Sequence, residues 1–105
     1  MFVRLSLYEN VDLELADQFT RWVEAKEIDP FRELPGYSGS MTLVDRENAR
    51  LVGIGFYASA AQAQAAETLL TAIFQDVRSE VPDALRLAFD MQPESVGLYE
   101  IVHRD

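Results

Sequence analysis

The stretch YSGSMTLVDRENARLVGIGFY, residues 37–57, decides how the chain folds. Residues 37–44 and 50–57 are rich in β-branched and aromatic side chains. The polar run Asp45-Arg46-Glu47-Asn48-Ala49 between them suits a hairpin loop, so two antiparallel strands are predicted. Asn48 is the loop residue best able to take a left-handed conformation. Gly39, Gly53 and Gly55 weaken the strands and mark a bulge or a close approach, by a ligand, a helix or a partner subunit. The alanines among residues 60–66 favour the helix. Ser59-Ala60-Ala61-Gln62 has the spacing of a capping box, in which the serine hydroxyl and the glutamine amide each satisfy a free backbone donor, so a helix starts at Ser59.

Working outward, residues 2–8 alternate with a period of two and predict a strand. Val3, Leu5 and Leu7 lie on one side, which is assigned to the helices; Phe2, Arg4, Ser6 and Tyr8 lie on the other. Asn10 or Asp12 can cap a helix whose stripe is Leu15, Ala16, Phe19, Trp22 and Val23 and which runs to about Ile28. Residues 29–35 then form a loop, bounded by Pro30 and by Pro35-Gly36. The helix from Ser59 carries Ala66, Leu69, Leu70, Ile73, Val77 and Val81 on its apolar stripe and ends at Pro82. Residues 83–91 fit a strand or a helical turn, with a short helix favoured, and residues 96–104 read as a last strand.

The order strand, helix, strand, strand, helix, strand is that of an α+β, ferredoxin-like split βαβ sandwich. It has an antiparallel four-stranded sheet and two helices on one face. The face bearing Phe2, Arg4, Ser6 and Tyr8 is too aromatic to stay wet, which predicts a homodimer formed through sheet faces.

A length of 105 residues makes a single domain, 1–105. Nine Lys plus Arg against eighteen Asp plus Glu give a net charge of −9, which opposes nucleic acid and anionic membranes. With 49% apolar and 10% aromatic residues the composition is that of a folded chain. The chain has no cysteine, which excludes a disulfide, a thiolate nucleophile, an iron–sulfur cluster and a cysteine zinc site. Residues 1–6 alternate and soon meet charge, unlike a signal peptide or a membrane span, and a cytoplasmic location is expected.

The pattern over nearly the whole chain resembles the antibiotic biosynthesis monooxygenase-like domains of the dimeric α+β barrel superfamily. The resemblance is densest at Glu33-Leu34-Pro35-Gly36-Tyr37-Ser38-Gly39 and at Leu43-Val44-Asp45-Arg46-Glu47-Asn48. It continues through residues 51–57 with the Ser59 helix start and at Leu98-Tyr99-Glu100-Ile101-Val102. It implies a dimeric barrel with a ligand pocket between the sheet and the helices of each subunit. Activities found in the family include cofactor-independent oxygenation of quinols and aromatic polyketides, so no cofactor is expected. Phe56-Tyr57 stand where many active members carry a tryptophan. Residues 59–81 lack the histidine on which the haem-degrading branch relies, which sets haem degradation aside.

His103, the only histidine, is the sole candidate for imidazole acid–base chemistry. No His-x-x-x-His or Glu-x-x-His spacing supports a metal site, and no phosphate loop, serine nucleophile motif or dinucleotide fingerprint is present. Trp22, Phe19, Phe56, Tyr57, Phe74 and Tyr99 could line an aromatic slot, although packing alone accounts for Phe19 and Trp22. Tyr57 and Tyr99 are the better polar pocket groups, because a buried phenol needs a hydrogen-bond partner. Arg4 and Arg50 could meet an enolate or a carboxylate, or could pair with the surplus acids. The ligand-pocket candidates are therefore Trp22, Phe56, Tyr57 and Tyr99, and the catalytic candidates Tyr57, His103 and Arg4. The leading function is a cofactor-independent monooxygenase-like protein that holds a small aromatic or quinol. A non-catalytic homodimer, binding a small ligand or acting as a structural module, is the alternative that the missing tryptophan favours. An isomerase or decarboxylase in the same pocket is a third.

Overall fold

Seven alternating residues form β1 (Phe2–Tyr8) at the centre of a four-stranded sheet, in a computed structural model that describes residues 1–26 and 30–105. α1 (Leu13–Lys26) follows, then a 3₁₀ turn over Pro30–Glu33, β2 (Tyr37–Asp45) and β3 (Arg50–Tyr57). α2 (Ala60–Val77), a short α3 (Arg86–Phe89) and β4 (Ser95–Glu100) complete the order. The strands lie in the sequence β2-β3-β1-β4 and every neighbouring pair is antiparallel. This α+β architecture is compatible with a ferredoxin-like fold.

Local chemistry sets the boundaries. Asp12 rather than Asn10 caps α1, its Oδ1 accepting the Leu15 amide at 3.1 Å. Asn10 itself takes a positive φ of 55°. Ile28 and Asp29, where the sequence places the helix end and the loop start, lie outside the described residues. At α2, Ser59 Oγ accepts the Gln62 amide at 3.2 Å. The predicted box is half made, because the Ser59 hydroxyl donates to Gln62 Oε1 and the glutamine side chain lies against Gly36 instead. Gly36 needs its positive φ of 73°, and Gly39 sits at the bulge that shifts the β2–β3 register.

Three expectations need correction. Ala49, not Asn48, takes the left-handed turn position, at φ 53°. The Asn48 side chain and amide are held instead by the Asp45 carboxylate, at 2.8 and 3.3 Å. The last strand stops at Glu100 rather than 104. The segment 83–91 resolves to a 3₁₀ turn (Asp83–Leu85) and α3.

The third correction concerns which face the helices cover. Register places Phe2 opposite Tyr57, Arg4 opposite Gly55 and Leu98, and Ser6 opposite Gly53 and Val96. Tyr57 is 1% exposed and packs with Leu34, Ala63, Ala66 and Leu70, while Phe2 and Tyr37 close on the same cluster. α2 therefore covers the Phe2–Arg4–Ser6–Tyr8 face. Val3, Leu5 and Leu7 point the other way, together with Val52, Ile54 and Phe56 of β3 and Met41 and Leu43 of β2. On that open face Met41, Leu43 and Tyr99 are 47%, 49% and 56% exposed.

The physical reason is helix approach. Alternation ranks the aliphatic side as the core, but an alanine-faced helix seats closest over the glycine strip and the flat ring of β3. Ala63 and Ala66 are accordingly buried. The helix layer is tied together by rings: Trp22 to Phe19 at 6.1 Å, Phe19 to Phe89 at 6.0 Å and Phe89 to Phe74 at 5.5 Å.

Candidate functional site

A cavity of about 160 Å³ lies between the sheet and α2. Its floor is Gly53 and Gly55, and β1 contributes Arg4, Ser6 and Tyr8. Ser40 and Thr42 of β2 edge it, and Leu70 and Phe74 of α2 roof it. The two glycines differ. The Tyr57 ring lies over Gly55, whereas nothing stands within 4 Å of where a Cβ on Gly53 would be. Gly53 thus keeps the middle of the cavity open.

The polar groups converge from one side of β1. Arg4 Nη1 donates to Ser6 Oγ at 3.3 Å, and Ser6 is only 5% exposed. Arg46, Arg50, Arg78 and Arg86 each face a carboxylate, of Asp17, Glu9, Asp90 and Asp83 respectively. Arg4 meets none among the described residues. Burial raises the Tyr57 phenol above its ordinary pKa, with the Arg4 charge opposing the rise. Tyr8 is raised by burial in the same way and is opposed by the same arginine. Both phenols stay protonated near neutral pH and can donate. The Tyr57 hydroxyl has no hydrogen-bond partner among the described residues. Among the described residues, no histidine, aspartate or glutamate lines the cavity. The arrangement can therefore hold an anion and donate hydrogen bonds to it, with no described side chain placed to remove a proton.

Of the candidates named from sequence, the structure brings Arg4, Tyr57 and Phe74 together in this cavity. It places Tyr99, Phe56, Trp22, Phe19, His103 and Arg50 elsewhere. Tyr99 lies on the open face with its ring over Gly97. Phe56 is on that face too, with the Arg104 guanidinium 5.5 Å from its ring. Trp22 stacks on Phe19 in the helix layer. His103 is in the exposed tail, 3.0 Å from Asp105 Oδ1. Arg50 is taken up by Glu9 at 2.9 Å. Sequence reasoning does not single out Ser6 and Tyr8, and it reads Gly53 as a place of close approach with the helix favoured over a ligand. Their signal was parity: Ser6 and Tyr8 alternate in step with Arg4, and Gly53 pairs with Ser6.

A second cavity of about 220 Å³ lies between the start of α1 and α3, lined mainly by Val11, Leu15, Leu87 and Met91. Its one carboxylate among the described residues, Asp12, is the cap of α1. Among the described residues no group of three or more acid or histidine side chains could hold a metal, and no helix is long and apolar enough to cross a membrane. No protein-family model matches the chain, and no curated protein does.

Proposed function

We propose that the chain holds a small aromatic or quinol in the cavity between the sheet and α2 and oxygenates it without a cofactor. This is the reaction implied by its resemblance to antibiotic biosynthesis monooxygenase-like domains. The observation that carries the reading is Arg4, a cation without a carboxylate partner among the described residues of a chain of net charge −9. A guanidinium so placed stabilises an ionised quinol, and the Tyr57 and Tyr8 hydroxyls donate to the same oxygen. A quinolate is electron-rich enough to react with molecular oxygen directly. One oxygen atom enters the ring to give a hydroxyquinone, and the other leaves as water with two hydrogens of the substrate. The protein then needs to bind, orient and desolvate.

We propose in addition that the chain is a homodimer, a reading that the open face supports. Val3, Leu5, Leu7, Ile54, Met41 and Leu43 make one apolar surface that a second copy would cover. Oxygen uptake with a one-ring quinol tests the activity. Uptake above the uncatalysed rate, falling by about 100-fold in Arg4→Gln, supports it. No uptake overturns it. Saturable binding without uptake would favour the second reading, a non-catalytic ligand-binding dimer, which the absence of a general base among the described residues of the cavity supports.

A further inference from the structure

We infer that the cavity selects a single aromatic ring bearing one anionic oxygen group, a carboxylate or a phenolate, with Arg4 as the anion anchor and Gly53 as the seat of the ring. This rests on the reading of the sheet–helix cavity as the ligand site. Size comes first: about 160 Å³ is close to the roughly 150 Å³ of an apolar protein cavity that takes up benzene. A second fused ring would exceed this volume and reach beyond the part roofed by Leu70 and Phe74.

Charge comes second. A partly buried cation normally recruits an acid, and acids outnumber cations two to one here, eighteen to nine. Arg46, Arg50, Arg78 and Arg86 have done so. Arg4 instead spends one bond on Ser6 and leaves the rest of its planar fork for a two-oxygen or one-oxygen anion. Tyr57 adds a donor with no partner of its own among the described residues, on the same wall. Gly53 gives the ring a flat contact with the sheet, since the space above it is empty. A neutral or cationic ring would leave the guanidinium desolvated and unanswered.

The test compares benzoate with benzamide, and 4-nitrophenol above and below its ionisation, by titration calorimetry and by amide chemical-shift mapping. Benzoate should bind at least about tenfold more tightly than benzamide, with shifts centred on Ser6, Gly53 and Gly55. 4-Nitrophenol should bind better as its phenolate, and its arm separates phenolate from carboxylate preference. 2-Naphthoate should bind more weakly than benzoate although it is the more hydrophobic of the two. In Arg4→Gln benzoate binding should fall about 10- to 100-fold while benzamide binding is unchanged, and Gly53→Val should weaken both. Equal affinity for benzoate and benzamide in the unaltered protein, or shifts away from Gly53, would overturn the inference. Benzoate selectivity without oxygen uptake from a quinol would leave it standing and remove the oxygenase proposal. Oxygen uptake from a quinol that falls in Arg4→Gln, with no benzoate selectivity in the unaltered protein, would do the reverse.

Discussion

The Tyr57 ring lies over Gly55, so that a Cβ at Gly55 would stand 3.0 Å from Tyr57 Cε2 and 3.2 Å from its hydroxyl oxygen. The ring cannot give way, because Tyr57 is enclosed by Leu34, Ala63, Ala66 and Leu70. Gly55→Ala should therefore lower stability by about 1–3 kcal/mol. Gly53→Ala, two residues away with open space above it, should be neutral or stabilising by up to about 1 kcal/mol, since it stiffens the unfolded chain. Urea unfolding of the two variants checks the pair. Equal losses would mean that the ring does not rest where it is placed.

What the sequence made legible and what it hid both follow from side-chain alternation. Period-two alternation in residues 2–8 and the hairpin chemistry of residues 37–57 are local, and they gave the strands, their order and the Ser59 helix start. Which face of a strand meets the helices is not local. It depends on how near α2 can come, and the Gly53–Gly55–Tyr57 strip allows a closer seat than the aliphatic side of β1. Once the faces are exchanged, Arg4, Ser6 and Tyr8 come together under α2, and Tyr99 and Phe56 leave the site. Asn48 failed as the left-handed residue for a similar reason: its side chain is committed to Asp45.

Alkaline pH reports the buried phenols. The pKa values of Tyr8 and Tyr57 are raised above 10.0 in the folded chain, so the unfolded chain ionises first. Their contribution to stability is complete below pH 10 and is lost as pH rises through the folded values. The urea midpoint should fall over that range, and the fall should shrink in Tyr57→Phe and Tyr8→Phe. A pH-independent midpoint in the unaltered protein would contradict the burial.

Gly36 fixes how the loop before β2 meets α2. Its φ is +73° and a Cβ there would overlap the Gln62 side chain. Gly36→Ala should cost about 1–3 kcal/mol, and adding Gln62→Ala should recover the part due to overlap but not the part due to backbone strain. A thermal-unfolding double-mutant cycle measures the split. No recovery in the double variant would mean that the contact is unimportant.

The open apolar face predicts self-association. Sedimentation equilibrium should give a mass near twice 11.9 kDa, and Leu43→Glu or Met41→Glu should return it to that of one chain. A monomer at micromolar concentration would remove the dimer from the proposed function while leaving the sheet–helix cavity intact.

The most direct measurement is amide chemical-shift mapping with a one-ring quinol under nitrogen. Function on the polar, helix-covered side of the sheet requires that Ser6, Gly53, Gly55 and Tyr57 shift together and saturate. Shifts centred on Phe56, Tyr99 and His103 instead, or none at millimolar quinol, would contradict it.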